Sequence, residues 1–205
     1  MSTEGVSHES AGTTSARLTA LGPATLREAG GRCLMPSIRA AWPGATICGP
    51  AFTAWCPPGD NLALHAAVAG VPDGHVLVVA TGGASRFGYF GEVLATAAIQ
   101  RGALGLVTDG GVRDVLAVER LGFAVFAAGA ALRGTTKAGP GATGCTVALA
   151  EMMISPGDWI VADVDGVVVI GTTQLQNVLQ AGEARTAKEE RTKGSYSINI
   201  RGKCE

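Results

Sequence analysis

Charge is scarce in this sequence. Asp, Glu, Lys and Arg make up 16% of its 205 residues, against roughly 25% in an ordinary soluble domain. So small a charged surface predicts that part of the exterior is covered by other subunits. The charges that are present nearly cancel, to a net −1, and no Lys/Arg stripe or aromatic–basic interleaving occurs. Nucleic acid is therefore not an expected partner. Long apolar runs are missing too, since none reaches the roughly 18 residues that a membrane span needs. The opening MSTEGVSHESAGTTS has no basic segment leading into an apolar one, so it does not read as a secretory signal. Its small polar residues predict disorder over residues 1–14. No CxxC pair occurs, and Cys33, Cys48, Cys56, Cys145 and Cys204 are odd in number and scattered. Reduced thiols in a cytoplasmic protein are expected, with Cys48 and Cys145 as small core residues.

Glycine is what the sequence has in excess, 30 residues, concentrated where apolar runs end. That placement punctuates strand-to-helix turns in α/β proteins. Thr14 to Gly30 reads as a helix interrupted at Gly22-Pro23, and Thr46 to Trp55 as a strand closed by Pro57-Pro58-Gly59. Asp60 is placed to cap the helix NLALHAAVAG. HVLVVA (75–80) has the continuous apolar character of a strand buried on both faces. A helix from Gly91 to Gly102, a strand from Leu104 to Thr108, a helix from Asp114 to Gly122 and the strand FAVFAAG follow. Residues 75–127 thus alternate as a parallel βαβ unit. From Gly144 on, short β-rich runs with turns at Pro156-Gly157-Asp158 and Asp165-Gly166 predict antiparallel hairpins. A polar helix from Gln174 to Arg191 closes a single α/β domain over 15–191, leaving 192–205 as a peripheral tail.

Chemistry concentrates after the strand LGLVT, where Asp109-Gly110-Gly111 leads to Arg113-Asp114. The helix from Gly91 to Gly102 descends about 16 Å at 1.5 Å per residue, and the next strand climbs back about as far at roughly 3.3 Å per residue. Glu92 is therefore expected beside Arg113-Asp114, at the carboxyl edge where parallel sheets bind ligands. Arg113 suits a carboxylate through paired hydrogen bonds. The amides of Glu92, Val93 and Leu94 favour an anion. Asp114 and Glu92 are hard oxygen donors suited to Mg²⁺ or Mn²⁺. A 2-oxo acid fits such a set. The same residues also suit plainer roles: Asp114 a helix N-cap, Arg113-Asp114 a solvated ion pair, Glu92 a favourable dipole contact.

Glu92-x20-Arg113-Asp114 resembles the acidic-x20-Arg-Asp motif of class II pyruvate aldolases of the 4-hydroxy-4-methyl-2-oxoglutarate / 4-carboxy-4-hydroxy-2-oxoadipate type. That family shares a fold with the regulator of ribonuclease activity A. The likeness spans about residues 17–190 and includes LGPATLREAGGR, GPAFTAW…PPGDNLALHAAV, FGEVLATAAIQRGALGLVTDGGVRDV, RGTTKAGPG and PGDWIVADVDGVVVI. It implies an α/β/α layered, swivelling-type domain, assembled as a homotrimer or dimer of trimers with sites between subunits. It implies a metal-dependent lyase that releases pyruvate from a 4-hydroxy-2-oxo acid and decarboxylates oxaloacetate as a side activity. Asp114 would anchor Mg²⁺ or Mn²⁺, and Arg113 would bind the pyruvyl carboxylate. Gly91, Val93 and Leu94 would offer backbone amides, and Glu92 stands where many members have Asp. A distal Glu from a neighbouring subunit matches Glu189, with Glu190 beside it. The like-folded regulators supply the alternative, a non-catalytic partner of a ribonuclease. Thr81 replaces a more usual acid, and Glu151-Met152-Met153 replaces a plainer strand, both expected near the pocket. Arg86 is a candidate for a distal carboxylate or a surface residue, His65 a packed histidine, and Lys137 a loop cation.

Overall fold

The structure is a computed structural model, and it describes residues 11–201. Most of the expected 1–14 segment and the last residues of the tail lie outside the described residues. Helix α1 (Ala11–Glu28) is interrupted where expected, with Gly22 at φ 72° beside Pro23. It begins at Ala11, inside the segment expected to be disordered, because Thr14 and Leu18 are buried against the sheet. Two short strands follow, β1 (Arg32–Cys33) and β2 (Arg39–Ala40). The long strand β3 (Ile47–Trp55) then leads through α2 (Leu62–Gly70) to β4 (Val76–Ala80).

After β4 come β5 (Gly88–Phe90), α3 (Glu92–Gln100), β6 (Gly105–Thr108), β7 (Gly111–Val112), α4 (Val115–Arg120), β8 (Ala124–Ala127) and β9 (Gly129–Ala130). The chain continues with β10 (Ala142–Thr143), β11 (Val147–Leu149), β12 (Met152–Ile154), β13 (Trp159–Asp163) and β14 (Gly166–Ile170). It ends in α5 (Leu175–Arg201), which runs past the expected stop at Arg191. No proline interrupts that stretch, so the helix started on Val178 and Leu179 propagates.

The main sheet has the order β1-β14-β13-β3-β4-β6-β8-β2. Strands β3, β4, β6 and β8 run parallel, and the flanking pairs are antiparallel. β14 and β2 lie near opposite edges yet touch, so the sheet curls. Alternation along each strand divides the core. Leu77 and Val79 of β4 face the cluster built with α2 and α3, while Val76, Val78 and Ala80 join Ile160, Ala162, Val167 and Val169 on the other side. Each fully buried Val or Leu removed from water contributes roughly 1.5–3 kcal/mol. Helices α1 and α5 cover β13 and β14 through Leu18, Leu26, Val178 and Leu179. Opposite the helices, Leu34, Ile38, Ala45 and the β11–β12 hairpin close the second layer.

One expected hairpin is different. Asp165-Gly166 does join paired strands, β13 and β14. Pro156-Gly157-Asp158 does not; it carries the chain from one sheet to another. Gly157 N donates to Ala51 O (2.9 Å), Ala51 N to Asp158 O (2.8 Å) and Ser155 N to Asp158 Oδ2 (3.0 Å), which docks the turn on β3. The turn between β11 and β12 instead bears Ala150 at φ 52°, a conformation that alanine does not advertise.

Candidate functional site

Three short strands turn the carboxyl edge of the main sheet into a platform. β5, β7 and β9 follow the parallel strands β4, β6 and β8 and pair with one another in parallel, in the order β5-β7-β9. Two of the predicted site segments leave this platform side by side: Gly91-Glu92 after β5, and Arg113-Asp114 after β7. Arg113 N donates to Phe90 O at 2.8 Å, which locks the two segments together. Glycines make the packing possible. A Cβ on Gly110 would sit 2.8 Å from Tyr89 Cδ2, and one on Gly91 would collide with Asp114 Oδ2 and approach Arg113 Cγ to 3.0 Å.

Asp114 occupies the position before α4 but does not cap it. Its backbone is left-handed, φ 55° and ψ 35°, and its side chain makes no cap bond. That conformation costs a non-glycine residue about 1 kcal/mol. It turns the carboxylate toward the neighbouring helix, where Oδ2 accepts from Glu92 N at 3.2 Å. Arg113 Nε stands 3.6 Å from the same oxygen, with the two side chains 48% and 43% exposed. The expected N-cap role is thus replaced by a link between the starts of α3 and α4. The first bond within α3 is Ala95 N to Gly91 O, so Val93 and Leu94 keep amides without an intrahelical acceptor. Glu92 N does not join them as the spacing suggested, because Asp114 uses it.

A pocket of about 250 Å³ opens here, and Gly91, Val93, Leu94, Arg113 and Asp114 all line it. Asn61, His65, Thr135 and Lys137 form more of the wall. Burial lowers the His65 pKa, and Lys137 lowers it further, which favours the neutral imidazole. Burial pushes the buried Cys56 thiol up to about 11, which leaves it protonated and unsuited to nucleophilic attack.

Other expected residues lie elsewhere. Glu189 pairs with Arg185 (Nε–Oε1 2.9 Å) on α5, which packs on α1, and neither Glu189 nor Glu190 lines the pocket within this chain. Arg86 stacks over Phe87, 5.3 Å from the ring centroid, and does not line the pocket. Glu151, Met152 and Met153 line a different groove with Arg27 and Arg32, so that departure does not shape this pocket. Thr81 is also away from the pocket wall, because its N (2.6 Å) and Oγ1 (3.0 Å) both donate to Asp109 Oδ1.

Asp109 is buried and also accepts from Gly83 N at 2.8 Å. It ties the carboxyl ends of β4 and β6, from which the platform grows. Asp60 does more than start a helix. Oδ1 accepts from Leu62 N (2.9 Å), while Oδ2 accepts from Thr136 Oγ1 (2.7 Å), Ala138 N (2.6 Å) and Gly139 N (3.0 Å). It thereby holds the loop bearing Thr135 and Lys137 against the pocket.

Residues 15–169 match the RraA-like family, described as Aldolase/RraA. The chain belongs to this family. Among RraA-like relatives it is 34% identical over 154 residues to a Halalkalibacterium halodurans protein named "Putative 4-hydroxy-4-methyl-2-oxoglutarate aldolase", covering 75% of this chain and 73% of the relative. An Albidiferax ferrireducens protein of the same name is 36% identical over 146 residues, 67% of this chain and 84% of that one. The solved structure of Streptomyces coelicolor RraAS2, described as an unusual member of the RNase ES inhibitor RraA protein family, superposes with a TM-score of 0.80. It is 28% identical and covers 91% of this chain and 98% of its own. The RraA-like family therefore includes proteins named as aldolases and proteins named as ribonuclease inhibitors.

Proposed function

We propose that this protein is a divalent-metal-dependent carbon–carbon lyase. Its reaction would be retro-aldol cleavage of a 4-hydroxy-2-oxo di- or tricarboxylic acid to release pyruvate. The observation that carries this reading is the left-handed Asp114, whose carboxylate is turned to the start of α3 beside Arg113 and Glu92. A merely solvated ion pair needs no such backbone.

The donor set fits Mg²⁺ or Mn²⁺. Asp114 lines the pocket and Glu92 adjoins it through its backbone amide, without its side chain being part of the pocket wall; both are hard oxygen donors. Two carboxylates suit a cation that keeps several waters, with Glu189 of a neighbouring copy as the further acid in a trimer or dimer of trimers. Bound there, the metal would supply Lewis-acid stabilisation of a developing enolate oxygen.

Arg113 then binds the carboxylate of the 2-oxo acid, and the free amides of Val93 and Leu94 add anion-stabilising dipoles. Cleavage removes the proton of the 4-hydroxyl, breaks C3–C4, forms a carbonyl at C4 and leaves the electron pair as the pyruvate enolate. Protonation at C3 completes pyruvate. The positive charge of Arg113 acts where negative charge grows. Loss of CO₂ from oxaloacetate passes through the same enolate and is the expected side activity. A cytoplasmic setting accords with free Cys33, Cys48, Cys56 and Cys145.

The decisive assay follows pyruvate release from 4-hydroxy-4-methyl-2-oxoglutarate and related acids, with Mg²⁺ and after chelation. Release that stops with chelator is the expected result; no release from any of them with metal present overturns the proposal. The names carried by solved relatives support the second reading, a non-catalytic partner of a ribonuclease. Capture of a ribonuclease together with absent metal binding would favour it.

A further inference from the structure

A residue of the pocket wall carries a buried polar atom that no described residue satisfies. Asn61 precedes α2 and is only 5% exposed. Its backbone N–H donates to Thr136 O at 3.0 Å, and its side-chain Nδ2 donates to Tyr89 O at 2.9 Å. The second bond sets the orientation of the amide, since a flip would press Oδ1 against another carbonyl oxygen. Oδ1 is thereby committed as an acceptor, and among the described residues it has no donor. Buried polar atoms are nearly always partnered. An orphan in a side chain that lines a pocket points to a donor brought by the ligand.

The surroundings decide which donor. Oδ1 exposes less than 1 Å², so a ligand group must press into the wall to meet it. A hydroxyl is small enough to do so, whereas a hydrated anion is larger and is repelled by the amide oxygen. Anionic parts of a ligand have a better partner in Lys137 on the same wall. His65 stands one helical turn from Asn61 on α2 and also lines the pocket, which keeps this wall polar.

We infer that Asn61 Oδ1 accepts a hydrogen bond from a ligand hydroxyl and makes the pocket selective for hydroxy-substituted acids. The inference rests on the 2-oxo acid reading only for which ligand bears that hydroxyl. It assigns Asn61 a specificity role, separate from the enolate chemistry at Arg113.

Calorimetry on the full chain with Mg²⁺ tests it, using two probes that cannot undergo retro-aldol cleavage because C2 is reduced. 2-Hydroxyglutarate lacks a 4-hydroxyl, and 2,4-dihydroxyglutarate carries one. The dihydroxy acid is expected to bind about tenfold more tightly to the unmodified protein, the effect of satisfying one buried acceptor. In Asn61→Leu the ratio should fall to about one, because the acceptor is gone while the side-chain size is kept. Equal binding to the unmodified protein overturns the inference, and so does a tenfold ratio that survives in Asn61→Leu. The first comparison needs no variant, so a failure of Asn61→Leu to fold does not remove the test. A preserved preference together with no pyruvate release from any 4-hydroxy-2-oxo acid would sink the lyase reading and still support this one.

Discussion

Asp114 shows how one residue identity supports two readings until its backbone is known. From the sequence it is a good N-cap; in the fold its left-handed conformation sends the carboxylate to Glu92 N. Arg113 next to it is half exposed and lines the pocket. Arg113→Lys keeps the charge but loses the paired hydrogen-bond geometry. The expected loss in kcat/KM for pyruvate release is about 10²-fold or more, and near-normal turnover would remove Arg113 from its assigned role. Gly91→Ala tests the close approach from the other side. Its new Cβ must displace Asp114 Oδ2 and Arg113 Cγ, so activity should fall further than the melting temperature does. An unchanged kcat/KM in that variant would show that the contact is not needed.

At the scale of elements, the site depends on what holds β5, β7 and the 134–139 loop in place. Asp60 is the clasp for that loop, and the Thr136 hydroxyl, with the amides of Ala138, Gly139 and Leu62, holds its carboxyl well below the usual carboxylate range. The sign follows from linkage. A depressed folded-state pKa adds stability that is complete above the ordinary Asp pKa of about 3.9 and is lost as pH falls below it. Denaturant unfolding measured between pH 6 and pH 3 should therefore show a decline that is shallower in Asp60→Asn. Equal pH slopes in the two proteins would refute the clasp. Leu106 tests the strand beneath the platform. It is fully buried on β6 among the residues packed with α2 and α3. Leu106→Ala should lower the unfolding free energy by about 2–5 kcal/mol, read from urea melts.

For the whole molecule, exposed apolar side chains accompany the scarcity of charge. Val93, Leu116 and Leu132, each near a segment that leaves the platform, are 80%, 70% and 88% exposed. Apolar side chains so exposed beside one site accord with a further subunit there. Sedimentation is expected to show a trimer or hexamer, and Leu116→Asp to raise the monomer fraction and lower activity together. A native protein that sediments as a monomer and is active would refute sites shared between subunits.

The order of strands and helices from residue 75 to 127 was legible because each strand is a continuous apolar run and each helix starts or ends at glycine. The proximity of Glu92 to Arg113-Asp114 was legible for a similar reason: a helix and a strand of matched length return the chain to one edge. These features are local, and the sequence by itself determined them. The platform β5-β7-β9 was not legible, since strands of two or three residues carry no periodicity. Nor were the bonds from Asp109 to Thr81 and Gly83, from Asp60 to Thr136, Ala138 and Gly139, or from Asn61 to Tyr89. Those partners lie 26 to 79 positions apart along the chain. Only the folded sheet and its loops bring them within hydrogen-bonding distance. Tertiary structure therefore decided which α3 amides stay free and which way Asp114 points. It also left Asn61 with an unanswered acceptor, because each depends on atoms that the chain delivers from far away.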